Sequence, residues 1–210
     1  MCFRIVIIFI VIVSAETVFG FREGEPDHFS QNLSEAAIER TTHYVRYDGQ
    51  YRTIGFPNGD VPDDVGVCTD VVIRVYRKLG IDLQYDVHQE MKLYFEEFPS
   101  NWGLSRPDPN IDHRRVPNLQ TLFKRKGIEL SVTDNPQDYV VGDVVTWFVA
   151  GNLPHIGIVV DRKSYDKKRP LIVHNIGQGP RLEDMLFDYP ITGHYRYYGN
   201  IHLPEDSLQQ

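Results

Sequence analysis

The sequence predicts an α+β domain in which N-terminal helices pack on a C-terminal antiparallel β-sheet. Two observations carry this. As far as Lys126 the apolar residues recur at helical spacing between recognisable stops, and after Asn135-Pro136 they fall into short runs separated by turns. Helices first and strands afterwards point to a sheet covered by helices, in contrast to the alternating pattern of a parallel βαβ fold.

Taken in order, Asn32 followed by Glu35 resembles a capping box, and Leu33, Ala36, Ala37 and Ile38 give one modest apolar face. This predicts a helix running towards Tyr44. A turn-rich stretch from Gly49 to Gly66 comes next. Over Cys68 to Leu79, the residues Cys68, Val71, Val72, Val75 and Leu79 share one side, Arg74, Arg77 and Lys78 fall on the other, and Gly80 is a stop. The β-branched run Val71-Val72-Ile73 favours a strand locally, but the spacing and the terminator outweigh so weak a propensity. Val87, Met91, Tyr94, Phe95 and Phe98 predict a third helix ended by Pro99, and Asn118 is expected to cap a fourth from Leu119 to Lys126 before Gly127. Between them lies a Pro-rich loop with Trp102 and His113. The predicted strands are Val144 to Val149, Ile156 to Val160, Leu171 to Val173 and His194 to Tyr198.

The chain has 210 residues, which suits one domain, expected over residues 30–200 with a tail over 201–210. At the N-terminus an apolar run from Ile5 to Val13 gives way to Ser14, Ala15 and Glu16, the grammar of a secretory signal peptide over residues 1–20, cleaved near 15–20. The run is far short of the roughly 20 residues that cross a bilayer, so no membrane span is expected after cleavage. With Cys2 in the leader, Cys68 is the single cysteine of an exported, periplasmic or extracellular chain, where structural cysteines normally pair. The net charge of -7, from 29 acidic and 22 basic side chains, comes without a Lys/Arg stripe. That argues against a nucleic-acid partner. A monomer is expected.

A cysteine nucleophile needs a thiolate, and the first turn of a helix favours one through its unpaired N–H groups and macrodipole. Cys68 is predicted to stand there. Its base must be a histidine, oriented by a third polar group. His155 opens the strand Pro-His-Ile-Gly-Ile-Val-Val-Asp and His174 ends the next, Leu-Ile-Val-His-Asn. Two antiparallel strands joined by the turn Asp161 to Pro170 can set both imidazoles on one face. A Cys-bearing helix end on that face would complete a Cys-His-His site.

Gly142-Asp143-Val144-Val145, then Pro154-His155-Ile156-Gly157-Ile158-Val159, then Val173-His174 are similar in order and spacing to the NlpC-type and CHAP-type cell-wall cysteine peptidases. The resemblance implies a papain-like fold with Cys68 as nucleophile, His155 as base and His174 as its orienting partner. Together with the expected export it implies peptidoglycan peptides, or else another amide, as the substrate; the Cys-His mechanism itself requires no metal or organic cofactor. The helix start departs from those peptidases: Val67 precedes the cysteine and Thr69-Asp70 follow, where they carry Asp before and Ser-Gly after. More closely, Glu35 to Tyr198 resembles the bacterial family DUF1287. The matching pieces are Gly59-Asp60-Val61-Pro62, Gly66-Val67-Cys68-Thr69-Asp70-Val71-Val72-Ile73-Arg74, Asn110-Ile111-Asp112-His113-Arg114-Arg115-Val116-Pro117-Asn118, Leu153-Pro154-His155-Ile156-Gly157, Val173-His174-Asn175-Ile176-Gly177 and Ile191-Thr192-Gly193-His194-Tyr195.

Weaker substrate-binding candidates are Tyr51, Asp70, His113, Arg114 and Asn175. Tyr51 and Gly55 loosely resemble the Tyr-x-x-Gly segment lining the peptidase cleft, and the run Asp112 to Arg115 offers arginine forks for a substrate carboxylate. His113 is more often a solvated loop histidine, and His194 reads as a plain strand residue. Two rival functions stand beside the hydrolase. One is acyl transfer to an amine on the same site. The other is a zinc-binding or non-catalytic module using His155, His174, Asp143 and Cys68, which no Cys-x-x-Cys or His-x-x-x-His pair supports.

Overall fold

The computed structural model describes residues 27–199; the expected leader and the whole expected tail lie outside the described residues. Four helices come first: α1 (His28–Arg40), α2 (Cys68–Lys78), α3 (Leu83–Tyr94) and α4 (Val116–Lys126). Two short strands, β1 (Arg46–Tyr47) and β2 (Val65–Gly66), pair in parallel just ahead of α2. Six more follow: β3 (Ile128–Leu130), β4 (Val144–Val149), β5 (Leu153–Lys163), β6 (Pro170–His174), β7 (Arg181–Glu183) and β8 (Ile191–Arg196). They form one antiparallel sheet in the order β3-β8-β4-β5-β6-β7. Among the described residues no helix is long and apolar enough to cross a membrane.

The chain is thus a mixed helix and antiparallel-sheet protein. Val71, Val72 and Val75 of α2 and Leu119, Leu122 and Phe123 of α4 share one core with Val144, Ile156, Ile158, Val160 and Val173 of the sheet. The alternate residues of the same strands, Val145, Trp147, Val149, Val159 and Ile172, turn to the other face, where Met185 and Leu186 close over them. Period-two alternation assigns each side chain to its layer. Trp147 is fully buried there and donates from Nε1 to the Leu186 carbonyl at 2.9 Å.

Several local expectations are corrected. The first helix starts at His28, because Asp27 caps it by accepting from the Ser30 N–H at 2.6 Å; Asn32 therefore lies inside the helix and forms no capping box. It ends at Arg40, short of Tyr44, and the Thr41 and Thr42 hydroxyls donate to the Ile38 and Glu39 carbonyls. The fourth helix opens at Val116 with Pro117 in its first turn, and Asn118 is no cap. Asn118 is fully buried and donates from Nδ2 to the Asp112 carbonyl at 3.0 Å. The third helix tightens into a 3-10 turn over Phe95–Glu97, and the last strand stops at Arg196, before Tyr198.

Two details position the site. A β-carbon on Gly157 would lie 2.7 Å from Ile172 Cγ2 and 2.9 Å from the Val173 carbonyl oxygen, so only glycine admits β6 this close to β5. Asp143, fully buried, holds β8 to β4, its oxygens 2.7 Å from His194 Nε2 and 2.8 Å from Arg196 Nε.

Candidate functional site

β5 and β6 run antiparallel with Gly157 opposite His174, so His155, two residues before Gly157, falls on the same face and diagonal to His174. His155 Nε2 lies 3.0 Å from His174 Nδ1, and the rings stand nearly perpendicular, at 89°. Trp147 is the cross-strand partner of His155 on β4 and its ring lies alongside, centroids 6.0 Å apart. Both imidazoles are buried.

A third member of this chain escapes the sequence reading. Glu183, on β7, places Oε2 3.0 Å from His174 Nε2. A carboxylate only accepts, so His174 donates from Nε2 and, while neutral, offers Nδ1 as an acceptor. His155 then donates from Nε2, which leaves its Nδ1 as the bare basic nitrogen. One carboxylate at the sheet edge thereby sets the tautomer of both rings. The available signal was the alternation Arg181-Leu182-Glu183 after a Gly-rich turn, too short to read as a strand.

Cys68 is the first residue of α2. Val67 occupies the cap position with no side-chain acceptor, and Asp70 accepts from the Val67 N–H at 2.6 Å. The sulfur lies near enough to the backbone N–H of Ile156, the residue that follows His155, for that group to favour its thiolate form. β6 ends opposite Gly157, so this part of β5 extends past its neighbour and leaves an edge for the helix start to meet.

The expectation that all three side chains share one face holds for the two histidines and is corrected for the cysteine. The apolar stripe of α2 packs with Ile156 and Ile158, whereas His155 and His174 point, by alternation, to the Trp147 side. Cys68 therefore meets β5 at its edge. Among the described residues no hydrogen bond joins its sulfur to either ring.

Burial pushes the Cys68 thiol up to about 12; the Ile156 N–H opposes this, the Asp70 carboxylate adds to it, and the N–H groups of Thr69 and Cys68 oppose it. The expected lowering by the helix start is thus overturned, because hiding a thiolate from water costs more than those N–H groups return. Burial, then the neighbouring His174, pushes His155 down to about 3. His174 is also lowered by burial, against the pull of Glu183. At neutral pH the free protein therefore carries a thiol and a neutral imidazole, with no ion pair between them.

Tyr47 also belongs here and was not foreseen, since a two-residue strand leaves no pattern to read. It lies opposite Gly66 in the β1–β2 pair; the residue is half-exposed, but partial desolvation of its hydroxyl, then the nearby Cys68 and Asp70, push the phenol up to about 12.

The weaker candidates divide. Arg114 forks onto Asp70 through Nε and Nη2 at 2.8 and 2.9 Å and spends further N–H groups on the Gln50 and Asp48 carbonyls. Neither Arg114 nor Asp70 is open to a substrate; they fasten the start of α2 to the segment before it, which corrects both assignments. His113 is no solvated loop residue: it is buried, and burial, then the Arg114 guanidinium, push it down to about 3. Tyr51 is exposed, its hydroxyl 3.1 Å from both Asp108 Oδ2 and Asn110 Nδ2. Asn175 is fully buried next to His174; its Oδ1 accepts from the Gly177 N–H at 3.0 Å and its Nδ2 has no partner.

Asp143 is committed to His194 and Arg196, and His194 also contacts the Ser131 carbonyl through Nδ1 at 3.1 Å. The zinc reading thus loses its carboxylate. Among the described residues no three His, Cys, Asp or Glu side chains are grouped to hold a metal ion.

Comparison with known proteins adds the following. Residues 34–197, which include Cys68, His155, His174 and Glu183, match the family model described as a domain of unknown function, DUF1287. The chain is also 46% identical over 166 residues to the uncharacterized protein YijF of Escherichia coli strain K12, covering 79% of this chain and 80% of that one. With most of its length matched by that family model and by a relative of such identity, the chain belongs to the DUF1287 family.

Proposed function

We propose that this protein is a papain-like cysteine hydrolase, an amidase or endopeptidase that cuts peptide amide bonds of peptidoglycan. The observation that supports the reading is the juxtaposition on β5: the Cys68 thiol feels the N–H of Ile156, and the preceding residue, His155, is oriented through His174 and Glu183. A cysteine at the first residue of a helix, against a strand that bears a tethered histidine, is the arrangement nucleophilic catalysis needs. The cell-wall substrate rests on the likeness of the Pro154 to Val159 and Val173-His174 motifs to cell-wall peptidases and on the expected export signal.

In this mechanism the sulfur attacks the amide carbonyl as the thiol proton passes to His155 Nδ1. The oxyanion is held near the N–H groups at the start of α2. His155 returns the proton to the leaving amine as the C–N bond breaks, and a thioester remains. Water then attacks with His155 as base, releasing the carboxylate and the free thiol. Since the free thiol is neutral, deprotonation accompanies attack.

The test is incubation of the wild type and Cys68→Ala with muropeptides and an amide library, with products identified by mass. The expected result is cleavage by the wild type and a loss of about a thousandfold or more in the variant. Undiminished cleavage by Cys68→Ala would remove the nucleophile. With an added amine, a new amide product in place of the acid would assign the site to acyl transfer.

A further inference from the structure

The run Asp112 to Arg115 contains one arginine that the fold leaves available. Arg114 is spent on Asp70, whereas Arg115 gives Nη1 to Asp112 Oδ1 at 3.0 Å and no other protein group among the described residues accepts from its guanidinium. Its guanidinium carbon lies over Trp102, 4.0 Å from the ring centroid, a cation–π contact that holds the group in place. Arg115 and Trp102 both line a cavity of about 320 Å³, at the small end of the roughly 300–1,000 Å³ typical of ligand pockets. Met91, Phe95, Phe98, Pro99 and Leu104 give it an apolar side, and Glu96, Ser100 and Ser105 line the rest. None of Cys68, His155 and His174 lines it.

We propose that this cavity is a binding site for a small carboxylate with an aromatic or branched apolar body, its carboxylate on Arg115 and its body between Trp102 and Phe98. The charge balance selects a single negative charge. The Arg115 guanidinium is already paired with Asp112 and Glu96 also lines the cavity, so at most one further negative charge is tolerated and a dianion such as phosphate is disfavoured. The walls select the body, since burying an aromatic or branched side chain against them is the main favourable term. A free acid and the C-terminus of a peptide present the same chemistry. Either would bind whether or not Cys68 cleaves anything, so the site stands apart from the proposed hydrolase.

The test uses the fluorescence of Trp102, the other tryptophan, Trp147, being fully buried on the far face of the sheet. The wild-type protein is titrated with N-acetylphenylalanine, with its amide, and with a tetrapeptide ending in phenylalanine. The acid is expected to bind about tenfold or more tighter than the amide, the gain of a charge-assisted fork. Arg115→Gln is expected to abolish that difference and Arg115→Lys to restore part of it. Peptide binding as tight as the acid's assigns the site to chain termini; weaker peptide binding assigns it to free acids. Equal binding of acid and amide to the wild type, no saturable response to either, or a preference that survives in Arg115→Gln would overturn the proposal. The acid and amide comparison on the wild type needs no variant to fold.

Discussion

At the scale of single residues, the site depends on where protons sit. Glu183 anchors the tautomers of two rings while remaining half-exposed itself. Glu183→Leu is therefore expected to leave the denaturation midpoint nearly unchanged and to lower kcat/KM about tenfold or more, because His174 and His155 lose their fixed donor order. An equal fall in stability and activity would instead make Glu183 a structural residue. A thiol held at about 12, against an ordinary value near 8.5, has about a thousandfold less thiolate at neutral pH. Alkylation of Cys68 by iodoacetamide at pH 7.5 is thus expected to run two to three orders of magnitude slower than that of free cysteine; comparable rates would show that the sulfur is not desolvated. Cys68, His155 and His174 were legible because helical period, strand alternation and a single unpaired cysteine each mark a position in the sequence. Glu183 and Tyr47 were not, since each sits on a strand of two or three residues whose place depends on a distant partner.

At the scale of elements, the close approach of β5 and β6 is what brings the histidines into contact. Gly157→Ala would drive a methyl group into Ile172 and the Val173 carbonyl. It is expected to cost about 1–3 kcal/mol in denaturant unfolding and to lower activity further by moving His174 away from His155. Full activity at reduced stability would show that the His155–His174 contact is dispensable. The helix carrying Cys68 was read correctly despite three consecutive β-branched residues, since its valine stripe packs on Ile156 and Ile158 and tertiary burial outweighs propensity. The caps were read less well. Asn32 and Asn118 both have the right side chain for a helix start, but Asp27 and Arg115 precede them at the positions where the chain turns. An Asn before an apolar run marks a boundary only when no tertiary contact claims its amide, and Asn118 is claimed by Asp112.

At the scale of the whole molecule, buried neutral histidines couple the fold to acidity. His113 and His155 are each held near 3 when folded, against an ordinary value of about 6.5. On acidification the unfolded chain takes up these protons first, so their stabilisation is complete above pH 6.5 and declines from there towards pH 3. The decline is about 1.4 kcal/mol per pH unit for each histidine. Denaturant unfolding at pH 7.5 and pH 5 should show a clear loss at the lower pH, and His113→Leu should make the dependence shallower; an unchanged slope would mean that His113 is hydrated in the folded state. The order of helices before strands was evident from the shift in apolar period, and the packing of α2 on the helix-covered face followed from it. The burial of His113 was not evident, because a histidine between proline-rich and arginine-rich segments has no local mark of depth. The two outermost strands have a final consequence. β3 and β7 run only three residues each and expose Glu129 and Arg181, so a foreign strand would find little backbone to zip onto and like or mismatched charges beside it. The sheet is closed to lateral growth, and crowding copies of this chain together should not seed fibrils from its borders.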